Sequence, residues 1–294
     1  MPSFRRSIRV PSLGGPALAG KAALACALVF LSAAASAAAP EADRGAPEAP
    51  AAKAKPLPPS PRMVEFTRMQ ADHYAACMKK VDVDPVAAFD DADAWTTLGG
   101  GEAARHCAAA ALWKQGFPAD AAARLQAIAV TSPQDDAVRA GLFDQAGQAW
   151  ADAKEWEKSE TVHAEAIRLA PKSAGVLTDR GRSRLAALSY GPAVEDFTAA
   201  LALDPKFAEA RVLRAAVHRR TGALDAALAD LNQAIAQSPD FLTAYLERGI
   251  VHRLMKDPAR ARADWMQVLW NAPEKSPAAE DARRELERME LGAP

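Results

Sequence analysis

The chain has 294 residues, a formal net charge of -1 and half of its residues in the hydrophobic class. Alanine contributes 72 of them, isoleucine and valine together only 20, and aromatics make up 6% of the chain. Alanine is the best helix former, and strand formers are scarce, so a β-sandwich or barrel is excluded and an all-α protein is expected. The neutral charge balance excludes a global basic field for nucleic acid, and none is expected as a partner.

The first segment carries an export address. Arg5, Arg6, Arg9 and Lys21 flank and precede an apolar run at 22–31, and Ala35-Ser36-Ala37 offers small residues for cleavage. That run is short for a membrane span of ~20 residues, so 1–39 is expected to be a cleaved signal rather than an anchor, with no stable span left after cleavage. Cys26 follows Leu24-Ala25, a faint lipoprotein pattern, but the apolar run lies after the cysteine instead of before it. Arg5-Arg6 sits too far from that run to match a twin-arginine signal well. Residues 40–61 hold seven prolines and predict an extended tether.

Residues 62–101 predict a helical hairpin, at 62–80 and 85–95, ended by Gly99-Gly100-Gly101. Beyond it the chain repeats. Pro171, Pro205, Pro239 and Pro273 are spaced by 34 residues each time, defining units 140–173, 174–207, 208–241 and 242–275. Other columns then align. Position eight is Gly147, Gly181, Ala215 and Gly249; position twenty is Ser159, Ala193, Ala227 and Ala261; position twenty-four is His163, Phe197, Leu231 and Trp265. Position twenty-seven is Ala166, Ala200, Ala234 and Val268. A looser unit at 102–139 ends near Pro133 and contains four extra residues around 136–139, one helical turn. At 276–294, Ser276, Pro277 and Glu280 begin a final helix whose polar face suits a cap on an open stack.

These columns resemble the tetratricopeptide repeat, with small residues at positions eight, twenty and twenty-seven and proline at thirty-two. The resemblance implies a right-handed superhelical solenoid of antiparallel helix pairs with a C-terminal capping helix. Arg211 and Arg184 depart from it, at a usually apolar and a usually aromatic position. The physics of the columns is plain: small residues let two helices cross closely, larger ones fill the flanks, and proline ends the second helix.

Several side chains invite a chemical reading. Arg180, Arg214 and Arg248 recur at position seven, and Asp196, Asp230 and Asp264 at position twenty-three of the same units. Both are missing together from 140–173, so structural Arg–Asp pairs are expected, ahead of a ligand-binding ladder. Once the signal is removed, Cys77 and Cys107 remain as an even pair on neighbouring hairpins, and a disulfide is expected in an oxidising compartment. The rival is a metal site with His73 and His106, but His106 and Cys107 diverge by about 100° on a helix. No metal or cofactor is expected. His218 and His252, at position eleven, are expected to pack rather than ligate. No phosphate loop, zinc helix or nucleophile elbow is present, so no catalytic residue is assigned.

The resemblance also implies that first helices line a concave groove. There it places Arg182 and Leu185, then Glu209, Val212, Arg219 and Arg220, then Leu246, Ile250 and Arg253. This mixture of basic and apolar groups points to an acidic peptide segment, against the alternative of a merely solvated face. The Lys and Asn of chaperone-tail clamps are replaced by Asp144 and Gln148, or Thr178 and Arg182. The expectation is a non-catalytic scaffold binding a protein partner in the periplasm of a bacterium. The Ala/Arg-rich usage fits a GC-rich proteobacterium. The alternative is a regulatory accessory subunit of a cell-wall or envelope-assembly enzyme.

Overall fold

The computed structural model describes residues 61–291. The expected signal at 1–39 and all but the last residue of the expected tether lie outside them. Thirteen α-helices make up the described residues: α1 (Pro61–Val83), α2 (Pro85–Thr97), α3 (Gly101–Lys114), α4 (Pro118–Thr131), α5 (Asp136–Asp152), α6 (Trp156–Leu169), α7 (Ala174–Ala186), α8 (Tyr190–Leu203), α9 (Ala208–Arg220), α10 (Leu224–Gln237), α11 (Leu242–Leu254), α12 (Pro258–Asn271) and α13 (Pro277–Glu290). They form six antiparallel pairs and a last single helix, each pair packed on the next. None of them is long and apolar enough to cross a membrane.

Local chemistry sets the helix ends. Proline opens α2, α4, α12 and α13, where its missing N–H costs nothing. Asp84, Asp135, Asp257 and Ser276 accept backbone N–H groups of the first turns that follow them. α6, α8, α10 and α12 end just before Pro171, Pro205, Pro239 and Pro273, which cannot continue a helix. α5 has 17 residues where α7, α9 and α11 have 13. The four extra residues are its first turn, so they lengthen a helix without shifting the repeat register. At the turn between the two helices of each of the last five pairs, position fifteen is left-handed: Gly116, Lys154, Leu188, Gly222 and Lys256. Gly adopts this conformation freely, whereas Leu188 holds it with an exposed side chain.

The core explains the columns. A Cβ added to Gly147, Gly181 or Gly249 would lie 2.4–2.7 Å from the ring of His163, Phe197 or Trp265. Position eight must therefore be glycine wherever position twenty-four is a ring. In the remaining unit Ala215 faces the slimmer Leu231, and the methyl is accommodated. Ala193, Ala227 and Ala261 are fully buried at the same crossings. Phe197 and Trp265 are also fully buried, and each such side chain contributes about 2–3 kcal/mol of burial. Small residues at the crossing are what allow rings of this size to be enclosed.

Candidate functional site

The three Arg–Asp columns are bidentate pairs joining the two helices of a repeat. Arg180 donates from Nε and Nη2 to Asp196 at 3.0 and 2.6 Å. Arg214 reaches Asp230 at 2.9 and 2.7 Å, and Arg248 reaches Asp264 at 2.9 and 2.6 Å. Two of them also bind the preceding repeat: Arg214 donates to Thr198 at 3.1 Å, and Arg248 to Asn232 at 2.8 Å. Each of these two guanidinium groups thus pins three helices, which only a planar fork with several donors can do.

Position eleven closes on the same carboxylates. Arg184 donates to Asp196 at 2.9 Å and with two nitrogens to Glu160 of α6. The ring nitrogens Nε2 of His218 and His252 lie 4.0 and 3.8 Å from Asp230 and Asp264. The two histidines therefore pack and also face a carboxylate. Burial lowers the His252 pKa, so its ring is neutral there. Arg211, at an apolar column, donates to Gln233 at 2.9 Å and the Pro205 carbonyl at 2.5 Å, while its buried Nε has no hydrogen-bond partner.

Cys77 and Cys107 are joined by a disulfide, with Cα atoms 6.3 Å apart. It links α1 to α3. Beside it, Tyr74 Oη lies 2.9 Å from His106 Nδ1, and His106 Nε2 lies 2.8 Å from Gln145 Oε1. His106 is thus held in a chain that joins α1, α3 and α5, and burial keeps it neutral by lowering its pKa. His73 stacks on Trp95 instead of approaching the cysteines. No metal-ligand cluster occurs among the described residues.

The groove residues require a correction. Arg182 donates to Asp179 at 2.5 Å and also to Glu209. Arg219 donates to Glu247 at 2.9 Å, and Arg253 Nε lies 3.7 Å from Glu285 on α13. Three of the four arginines expected to make a basic face are therefore neutralised by carboxylates. Arg220 alone has no acidic partner among the described residues. The physical reason is the column that holds the partners: Asp179 and Glu247 occupy position six, and Glu285 lies on the capping helix. The apolar part also shrinks. Leu185 and Val212 are buried, while Leu246 and Ile250 are half-buried beside Trp265, Leu286 and Met289, under the cap.

What remains on this face is a cluster of acids. The Asp144 carboxyl on α5 lies beside that of Asp179 on α7. Gln148 donates to Asp144 at 3.1 Å. Behind them His163 is fully buried, its Nε2 3.6 Å from Asp144 Oδ1, and neither atom has a hydrogen-bond partner. His163 Nδ1 lies 2.9 Å from the Ser159 carbonyl, which fixes the proton there and leaves Nε2 an acceptor. Burial, and then the Asp179 carboxyl beside it, hold Asp144 well above the usual carboxylate range. Burial also raises Asp179 and Glu209, and pushes His163 down to about 4. Adjacent acids at position five of one unit and position six of the next were the sequence signal for this cluster; they are 35 residues apart, one more than the repeat.

The comparisons agree on architecture. A tetratricopeptide repeat protein from Parabacteroides merdae ATCC 43184 is 18% identical, with a TM-score of 0.57 over 74% of this chain and 87% of that one. TTC0263, a thermophilic tetratricopeptide-repeat protein of Thermus thermophilus, is 16% identical, with a TM-score of 0.54 over 64% of this chain and all of that one. No family model matches the chain, and no curated protein matches it. The helix pairs, their 34-residue register and these two likenesses define the fold as the tetratricopeptide-repeat solenoid.

Proposed function

We propose that this chain is a non-catalytic scaffold that presents its concave face to a segment of a protein partner in the periplasm of a bacterial envelope. The observation that carries this reading is the continuity of the inner face. Successive first helices α5, α7, α9 and α11 pack side by side, and partly buried polar groups run along them from Asp144 to Arg253. A row of this kind offers contacts to an extended chain at regular intervals, which a globular surface does not. The export address supports the location, and so does the disulfide, since such bonds persist in oxidising compartments.

The test is site-specific photo-crosslinking in the native envelope. A probe at Gln148 on the inner face should capture a discrete partner, and a probe at the exposed Ala229 on α10 should not. Capture from Ala229 alone would overturn the concave-face reading. Fractionation showing the chain in the cytoplasm would overturn the location.

A further inference from the structure

The geometry points to a partner chemistry opposite to that expected from the arginine count. We propose that the stretch of inner face around Asp144, Asp179 and Glu209 receives a basic side chain, ammonium or guanidinium, of the partner segment. The inference rests on the concave-face reading and makes its ligand specific.

Charge pairing differs along the face. On the C-terminal half of the face each acid has its own arginine, Glu247 with Arg219 and Glu285 with Arg253. On the N-terminal half Asp179 and Glu209 share the single guanidinium of Arg182, and the Asp144 carboxyl lies beside Asp179. With Asp179 and Glu209 ionised the local balance is one negative charge in excess, before Asp144 is counted. Buried charge without a partner is costly, and such a group is satisfied by a proton or by a cation. Among the described residues no further cation pairs with these acids. His163, behind the cluster, is fully buried and turns an unpartnered acceptor nitrogen toward the unpartnered Asp144 Oδ1. Two acceptors face each other there, so the buried side of the cluster has only a proton to offer.

The outer side is reachable. Glu209 and Arg182 keep about a third of their side-chain surface, 31% and 34%. A basic side chain lying along the face would meet Asp179 and Glu209 where Arg182 now lies, joining or displacing it. Arg182 is thus an internal occupant whose removal should favour the external one. Charge-assisted hydrogen bonds to a half-buried carboxylate pair give such a contact both strength and direction.

The experiment is fluorescence anisotropy of the full chain with two short peptides that differ only in carrying lysine or glutamate at the same positions. The lysine peptide should bind at least about tenfold tighter, a difference of one good ionic contact, and weaken as salt is raised. Asp179→Asn and Glu209→Gln should each reduce that binding several-fold, and Arg182→Gln should increase it. Should Asp179→Asn fail to fold, the surface variant Glu209→Gln and the Arg182→Gln gain remain decisive. Preference for the glutamate peptide would overturn the inference. So would lysine-peptide binding unchanged in Glu209→Gln, or an acid cluster that responds to pH but to neither peptide. If inner-face crosslinks form with an acidic partner, this inference falls while the concave-face reading stands. If crosslinks come only from Ala229, the concave-face reading itself has failed.

Discussion

Arg214 on α9 holds Asp230 on α10 with both arms of its guanidinium, at 2.9 and 2.7 Å, and the aspartate is nearly buried. Arg211 and His218 also lie within 4.0 Å of that carboxylate. Removing the acid strands a partly buried cation and exposes the crossing of two repeats. Asp230→Ala should cost about 2–4 kcal/mol, somewhat below a fully buried pair because Arg214 keeps access to water. The exposed pair Lys80–Asp91 is the control: Asp91→Ala should leave the urea midpoint almost unchanged. Urea midpoints of the two variants measure the difference, and equal midpoints would refute a structural role for the column.

The rule linking positions eight and twenty-four gives a second prediction. A methyl on Gly249 would lie 2.4 Å from the Trp265 ring nitrogen, and that ring has no room to retreat. Gly249→Ala should destabilise by about 1–3 kcal/mol through overpacking. Adding Trp265→Leu should cost less in the Gly249→Ala background than it does alone, because alanine opposite leucine is already the combination at Ala215 and Leu231. A thermal melt of the single and double variants decides it. Additive losses would mean that the two positions do not share one space.

These two columns also show what a sequence can carry. The crossing of two helices is a local steric problem repeated every 34 residues, so its solution recurs and the register can be read. The Arg–Asp columns are legible for the same reason: partners 16 residues apart recur in three units. The inner face is different. Arg182 meets Glu209 at a separation of 27, Arg219 meets Glu247 at 28, and Arg253 meets the capping helix. Each contact uses other columns, so no periodic signal exposes it, and arginines counted alone mislead about the field. The Tyr74–His106–Gln145 chain is single and irregular, and left no pattern at all.

The acid cluster makes stability at this joint depend on pH. Burial raises the folded-state pKa of Asp144 above its ordinary value, so the folded chain holds a proton that the unfolded chain gives up. That contribution is full below the unfolded pKa and is lost as pH rises through the folded one. Asp144→Asn keeps the shape without the titration. Its Tm should match the parent near pH 4 and exceed it near pH 7.5, where the parent must ionise a buried group or hold its proton against the solvent. His163 acts in the opposite sense. With a folded pKa of about 4, it stabilises above its ordinary pKa of 6.5, and that contribution is lost as pH falls through 4. His163→Phe, the ring already used at Phe197, should therefore flatten the acid limb of the Tm profile. An unchanged difference between Asp144→Asn and the parent across this range would show that Asp144 does not carry the proton.

The first hairpin depends most on its covalent tie. α1 lies at the open end of the stack, and Met63, Phe66 and Met69 are each about half exposed, so the helix buries little apolar surface along its first turns. Its anchors are Tyr74, Cys77 and Val81, with the Tyr74 hydroxyl against His106. The disulfide closes a sequence separation of 30 residues, worth about 3–4 kcal/mol in the chain-entropy model. In a solenoid, lost stability stays near its source because each repeat touches only its neighbours. Cys77→Ala with Cys107→Ala should therefore speed hydrogen exchange in α1 and α2 by about two orders of magnitude, a little under the full entropy term. Exchange in α9 to α12 should hardly change. Equal acceleration along the whole chain would mean that the hairpin and the repeats unfold as one cooperative unit.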